Sequence, residues 1–315
     1  MTDSSSMPSG EGIHAPVLIY DRIAKNKRQT WIMLFIFVVA LGGFVTLIGL
    51  AFGMPLWGVG IIFVGLAIYA IFSYYASAGV ALAVSSAHEV TKQDEPDLYN
   101  TVENLSIGSG LPMPKVYVVE DSAPNAFATG RDPKHASVTA TRGLLNKMDK
   151  SELEGVIAHE MSHVGNYDIR VMTLTVVLVG LVALLADFFL RFTFWGAGSR
   201  SSNRDRGGGG YALLFALALV FAILAPIAAQ LIQLAISRQR EYLADASGAL
   251  LCRNPDALAR ALEKIAGDPE PLEEANKATA HLWFSNPLSD HSSFLNNLFS
   301  THPPIEERIR LLKAM

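Results

Sequence analysis

Two uncharged apolar runs near the N-terminus, 31–52 and 56–76, constrain this chain more than any other feature. Each exceeds the roughly 20 residues that a helix needs to cross about 30 Å of hydrocarbon. Only Gly53, Met54 and Pro55 separate them, so they read as a tight transmembrane hairpin. A secretory signal has a shorter apolar core followed by a small-residue cleavage site, and neither pattern is present, so the first run is expected to stay in place. Two further runs, 171–190 and 211–237, form a candidate second hairpin around the polar, Gly- and Arg-rich stretch 196–210. Pro226 in the last run is tolerated in a membrane helix as a kink. Asp187 reads as a snorkelling ion pair with Arg191, one turn later, in preference to a catalytic or transport group.

The expected organisation is therefore a polar tail (1–15), a first hairpin segment (16–76), a soluble stretch (77–170), a second hairpin (171–237) and a second soluble stretch (238–315). The tail is Ser/Gly/Pro-rich without apolar period, which predicts disorder. Half of the residues are hydrophobic and 17% are charged, below the usual quarter or so, which fits a partner that is a lipid bilayer. A net charge of -4 excludes nucleic acid as a partner. The single cysteine, Cys252, excludes a disulfide framework and a CxxC metal knuckle, and reads as a small core residue.

Within 77–170, "EPDLYNTVENL" (95–105) reads as a helix, while "KVYVVED" (115–121), "NAFATG" (125–130) and "ASVTAT" (136–141) read as short strands between turn signals. "SELE" at 151–154 matches a capping box, and the helix it starts should stop at Gly165-Asn166. Inside that helix lies "HEMSH", 159–163. At about 100° per residue, His159 and His163 share a face, with Leu153, Val156, Ile157, Met161 and Val164 turned elsewhere. Two neutral imidazoles one turn apart can hold one ion, and Glu160, at the border of that face, is placed to take a proton from its water. Chance produces HExxH in about one chain in a hundred, so the motif alone is incomplete.

A catalytic metal needs a third protein ligand. "AISRQREYLADASGA" sets Glu241 and Asp245 one turn apart where the fourth run ends. Glu241 suits a ligand and Asp245 an acceptor for the other ring N–H of one histidine. The alternative is a solvated face shared with Arg238 and Arg240. The strand at Asn125, Ala126, Phe127 and Ala128 reads either as an edge that pairs with an extended substrate or as a plain structural edge.

Together, "APNAFATG" (123–130), "GVIAHEMSHVGNYDI" (155–169), "RQREYLADASGA" (238–249), "NPDALARALEKIA" (254–266) and "LFSTHPPIEERIRLL" (298–312) resemble the HtpX-type membrane zinc metalloproteases, relatives of the CAAX prenyl endoproteases. The resemblance implies a mainly α, multi-pass helical membrane protein of about four spans, with a zincin-like α+β catalytic domain carrying a small sheet. It implies one Zn²⁺ on His159, His163 and Glu241, with Glu160 as general base. His302, and Arg308 as a second candidate, would then stabilise the tetrahedral oxyanion. It also implies misfolded or damaged membrane proteins as substrates, in quality control. The long 196–210 loop and the polar tail depart from the family without touching these motifs.

Arg22, Lys25, Lys27 and Arg28 precede the first run against Asp21 alone, so the N-terminus and the catalytic domain should face the cytoplasm of a cell-membrane protein. The second hairpin's loop, with Arg191, Arg200, Arg204 and Arg206 against Asp205, opposes that rule. The need to bring His163 and Glu241 together overrides it. Ser151, Glu152, Glu154 and Asn166 around the motif argue for cleavage at the membrane face over an intramembrane site. A CAAX-type endopeptidase and a non-enzymatic scaffold or transporter remain as alternatives.

Overall fold

The computed structural model describes residues 55–175, 238–270, 272, 282–285 and 303–315, with scattered positions between 28 and 46. The tail, most of the first run and nearly all of the second hairpin lie outside these residues, as do Asp187 and the 196–210 loop.

The second apolar run is helix α1, Leu56–Val84, longer than the sequence reading to 76. Among the described residues no single helix is long and apolar enough to cross a membrane, but the parts Leu56–Tyr69 and Tyr74–Val84, bent by 57°, pass together. No proline or glycine lies at the bend; Ser77 donates to Tyr74 O (2.7 Å), a back-bond of the type that bends helices. The N-terminal part exposes Leu56, Trp57, Ile61 and Ile68, as a lipid-facing helix does. Its last turns are instead built into the protein. Ala81 and Leu82 pack with Val119, Ala123, Phe127 and Trp283, so the apolar helix and the catalytic body share a core.

A short strand β1 (His88–Glu89) and helix α2 (Pro96–Ser109) follow. Proline at the first helical position and Gly110 in the left-handed conformation (φ 69) bound α2. Strands β2 (Lys115–Val119), β3 (Ala126–Gly130) and β4 (Ala136–Thr141) match the three sequence-predicted strands to within a few residues. The mixed sheet has the order β1-β2-β4-β3, with β2 parallel to β4 and the other pairs antiparallel. β3 is therefore an edge strand, as expected, and all five of its residues are buried.

Helix α3 (Arg142–Lys147) leads to α4, Lys150–Gly165. The capping box lies two residues earlier than "SELE" suggested: Asp149 accepts from Glu152 N–H and Glu152 accepts from Asp149 N–H, both at 2.9 Å. An aspartate serves that position as well as a serine, and Asp149-x-x-Glu152 has the same spacing. The stop at Gly165-Asn166 stands. Tyr167 then takes a left-handed φ of 61, which reverses the chain into helix α5 (168–175). Helices α6 (238–252), α7 (Pro255–Ala266) and α8 (Ile305–Leu312) complete the described fold. α4 lies between the sheet and α7, its apolar side (Val156, Ile157, Met161, Val164) in one core with Val138, Ala140, Leu258 and Leu262.

Candidate metal centre

Helix α4 carries His159 and His163 on one face, and both are buried. Their Nε2 atoms stand 3.1 Å apart. From α6, Glu241 brings Oε2 to 3.6 Å from His159 Nε2 and Oε1 to 3.5 Å from His163 Nε2. The three donor atoms lie within 4.8 Å of one another, in a group able to hold a metal ion. Their separations can be tested against coordination chemistry. Ligands about 2.0–2.1 Å from a tetrahedral ion are about 3.3 Å from each other. The 3.1 Å between the two Nε2 atoms is close to that edge, and the Glu241 carboxylate spans the pair, a different oxygen facing each imidazole. Two imidazole nitrogens and a carboxylate fit a divalent, borderline-soft cation.

The approach of α6 to α4 depends on Gly248. A Cβ there would fall 2.9 Å from His159 N and 3.0 Å from His159 Cα. Gly248 follows Glu241 by two helical turns, on nearly the same face, so the missing side chain lets Glu241 reach the histidines.

Each histidine has its own carboxylate. His159 Nδ1 lies 2.9 Å from Asp245 Oδ1, a close contact whose direction departs from a linear hydrogen bond. Arg308 grips Asp245 in bidentate fashion, Nε to Oδ2 and Nη2 to Oδ1 at 2.8 Å each. Burial pushes the Asp245 carboxyl up, but Arg308 and His159 outweigh it and hold it down at about 2. His163 Nδ1 donates to Asp168 Oδ2 at 3.1 Å, and Arg240 Nε stands 3.6 Å from Asp168 Oδ1. Burial disfavours charge on both imidazoles, yet Asp245 and Glu241 raise His159, and Asp168 and Glu241 raise His163 well above the ordinary range. The pocket is thus built for positive charge, which a cation supplies as readily as a proton.

Glu160 is buried beside the edge strand, where the Ala128 backbone works against the rise in its proton affinity. Burial raises it above the usual carboxylate range, against the lowering pull of His159 and His163. A carboxylate with increased proton affinity, next to the donor cluster, is suited to take a proton.

Sequence-predicted residues fall as follows. His159, His163, Glu241, Asp245 and Glu160 come together. Arg240, read beside Glu241 as a solvated residue in the alternative, is buried. Arg308 is also buried, with Nη1 donating to Phe284 O (3.2 Å) and 3.6 Å from Glu241 Oε2. His302 lies outside the described residues. Asn125, Ala126, Phe127 and Ala128 lie on the edge, but its outward groups at Asn125 and Ala126 already have partners. Phe284 N–H donates to Ala126 O (2.7 Å), and the Asn125 amide clamps the Ser285 backbone through Nδ2 to O (2.9 Å) and N–H to Oδ1 (3.1 Å). Phe284 stacks edge-on against His159 with centroids 4.8 Å apart, and Trp283 against Phe127 at 4.6 Å. Asp168, Gly248 and Phe284 were not foreseen, because each meets the motif through a turn or a long-range contact.

An HExxH helix joined by a third carboxylate from a separate helix defines a metalloendopeptidase. The chain belongs to peptidase family M48, whose model matches residues 92–315. It is similar to the protease HtpX homolog of Tropheryma whipplei (strain TW08/27), 53% identical over 300 residues, which cover 95% of this chain and 99% of that protein. The homolog of Listeria monocytogenes serotype 4a (strain HCC23) is 45% identical over 309 residues, covering 95% and 100%. Among solved structures, S. mikatae Ste24p shares the fold with a TM-score of 0.51 at 21% identity, over 90% of this chain and 66% of that chain.

Proposed function

We propose that the ion is zinc, one per chain, held by His159, His163 and Glu241 in a zincin-like site at the cytoplasmic face of a cell membrane that the chain crosses about four times. The observation that carries this reading is the convergence of two Nε2 atoms 3.1 Å apart on the Glu241 carboxylate, whose Oε2 lies 3.6 Å from His159 and Oε1 3.5 Å from His163. Zinc in such a site lowers the pKa of bound water to about 7 and polarises the scissile carbonyl. Glu160 takes the water proton and passes it to the leaving amine. Asp245 and Arg308 hold His159 and Glu241 in place; this orienting task, and the burial of Arg308 behind Asp245, favour His302 for contact with the oxyanion.

An extended substrate then lies along the β3 edge beside Ala128, on a backbone track indifferent to side chains. The contacts of Phe284 and Ser285 at Ala126 and Asn125 shorten that track at one end. The exposed apolar side of α1, and the run that starts at residue 171 beside Asp168, tie the site to the bilayer. Substrates confined to the same membrane gain effective concentration, which fits misfolded membrane proteins cut in juxtamembrane loops. The test presents one scissile loop either tethered to a spanning helix or as a soluble fusion, to enzyme in liposomes. Chelator-sensitive cleavage, restored by zinc and faster for the tethered loop, is expected. Cleavage indifferent to chelator would refute the metal mechanism, and equal rates for both forms would refute the membrane-face reading.

A further inference from the structure

His159 is oriented by Asp245, a pairing its position near Glu241 foretold; His163 has a counterpart that the motif does not contain. Asp168 follows His163 by five residues and lies past the helix stop, where a continuing helix would carry it away from the imidazole. The left-handed Tyr167 (φ 61) turns the chain back instead. A non-glycine residue in that conformation is uncommon and costs on the order of 1 kcal/mol, so the surrounding contacts must hold it. They bring the fully buried Asp168 to 3.1 Å from His163 Nδ1. On its other side is Arg240, the residue next to the ligand Glu241, buried to 8% exposure with Nε 3.6 Å from Asp168 Oδ1. The site thus has two matching arms, Arg308–Asp245–His159 and Arg240–Asp168–His163.

We propose that Asp168, pinned by Arg240, is a positioning residue that fixes the ring and tautomer of His163 for metal binding. The inference rests on the zinc reading above. With Nδ1–H donated to a carboxylate, Nε2 is left as the ligand atom, and its basicity rises. Asp168 and Arg240 also stand at either end of the chain segment that holds the third and fourth apolar runs. Their contact therefore joins the two ends of that segment beside a metal ligand.

The test uses the full-length protein in detergent micelles, loaded with zinc or with cobalt as a spectroscopic probe. Asp168→Asn should weaken zinc roughly 10- to 100-fold in chelator competition and alter the visible cobalt spectrum. Asp168→Glu should recover part of the affinity, because it restores a carboxylate. Arg240→Gln leaves Asp168 in place and should give a smaller loss in the same direction. This last variant carries the test if Asp168→Asn does not fold. Zinc affinity and cobalt spectrum unchanged in both Asp168→Asn and Arg240→Gln would overturn the proposal. His163→Ala separates the two levels: if it retains full zinc, the donor set itself is wrong, whereas loss of zinc there with none in Asp168→Asn condemns the positioning role alone.

Discussion

Gly248→Ala adds a single methyl group where α6 crosses α4. The new Cβ would stand 2.9 Å from His159 N, 3.0 Å from His159 Cα and 3.2 Å from Ala158 C, all backbone atoms that cannot rotate away. Ordinary carbon contacts begin near 3.5 Å, so the helices must part by about 0.5 Å. Glu241 lies two turns away on nearly the same face of α6, and a rigid shift carries its carboxylate a similar distance. Metal–ligand distances tolerate only about 0.2 Å. Zinc affinity should therefore fall by roughly 10-fold or more, comparable to losing an orienting contact. Stability should change much less. Overpacking costs about 1–3 kcal/mol, while replacing glycine in a helix returns about 1 kcal/mol. Chelator competition for zinc, with thermal melting of the metal-free protein in parallel, separates the two effects. Gly155→Ala is the contrast: its Cβ would meet the Leu258 backbone at 3.0 Å, on α7 and not on the ligand helix. Its stability should change by a similarly small amount, without a comparable loss of zinc, because α7 carries no ligand. Wild-type zinc affinity in Gly248→Ala would refute the claim that this approach sets the ligand.

Further outcomes follow from the same geometry. Glu160→Gln keeps shape but cannot take a proton, so peptide cleavage should fall at least 100-fold with zinc retained; a rate near wild type would remove Glu160 from the mechanism. Arg308→Met should destabilise the fold by about 3–5 kcal/mol in thermal or denaturant melts, since it leaves Asp245 buried beside one fewer cation. A loss below 1 kcal/mol would show that the Asp245–Arg308 grip matters little. Asp149→Ala removes the side chain that caps α4 and should cost about 1 kcal/mol, lowering the melting temperature while leaving zinc affinity intact.

The sequence carried those parts of the site that depend on local period. HEMSH on a helix that stops at Gly165-Asn166, and Glu241 one turn before Asp245, both follow from helical spacing, and the structure brings all of them together. The three strands were legible because β-branched residues sit between Pro, Asn and Gly turn signals. What stayed hidden depends on tertiary contact. Asp168 looks like the first residue of a loop, and only the left-handed Tyr167 returns it to His163. Gly248 is an unremarked glycine in a helix until α4 passes within 3 Å of it. The continuation of α1 to Val84 was missed because the apolar run weakens after Ala76, while its last turns are fixed by packing on Phe127 and Trp283. Strand β1, two residues long, has no pattern of its own and exists by pairing with β2.

The most direct test of the metal centre is zinc K-edge X-ray absorption on purified, full-length Glu160→Gln protein together with its zinc content. One zinc per chain is predicted, bound by two imidazole nitrogens at about 2.0–2.1 Å and carboxylate or water oxygens at about 2.0–2.2 Å, with no sulfur. A sulfur at about 2.3 Å, which would implicate Cys252, or a protein that binds no zinc at all, would contradict a centre made of His159, His163 and Glu241.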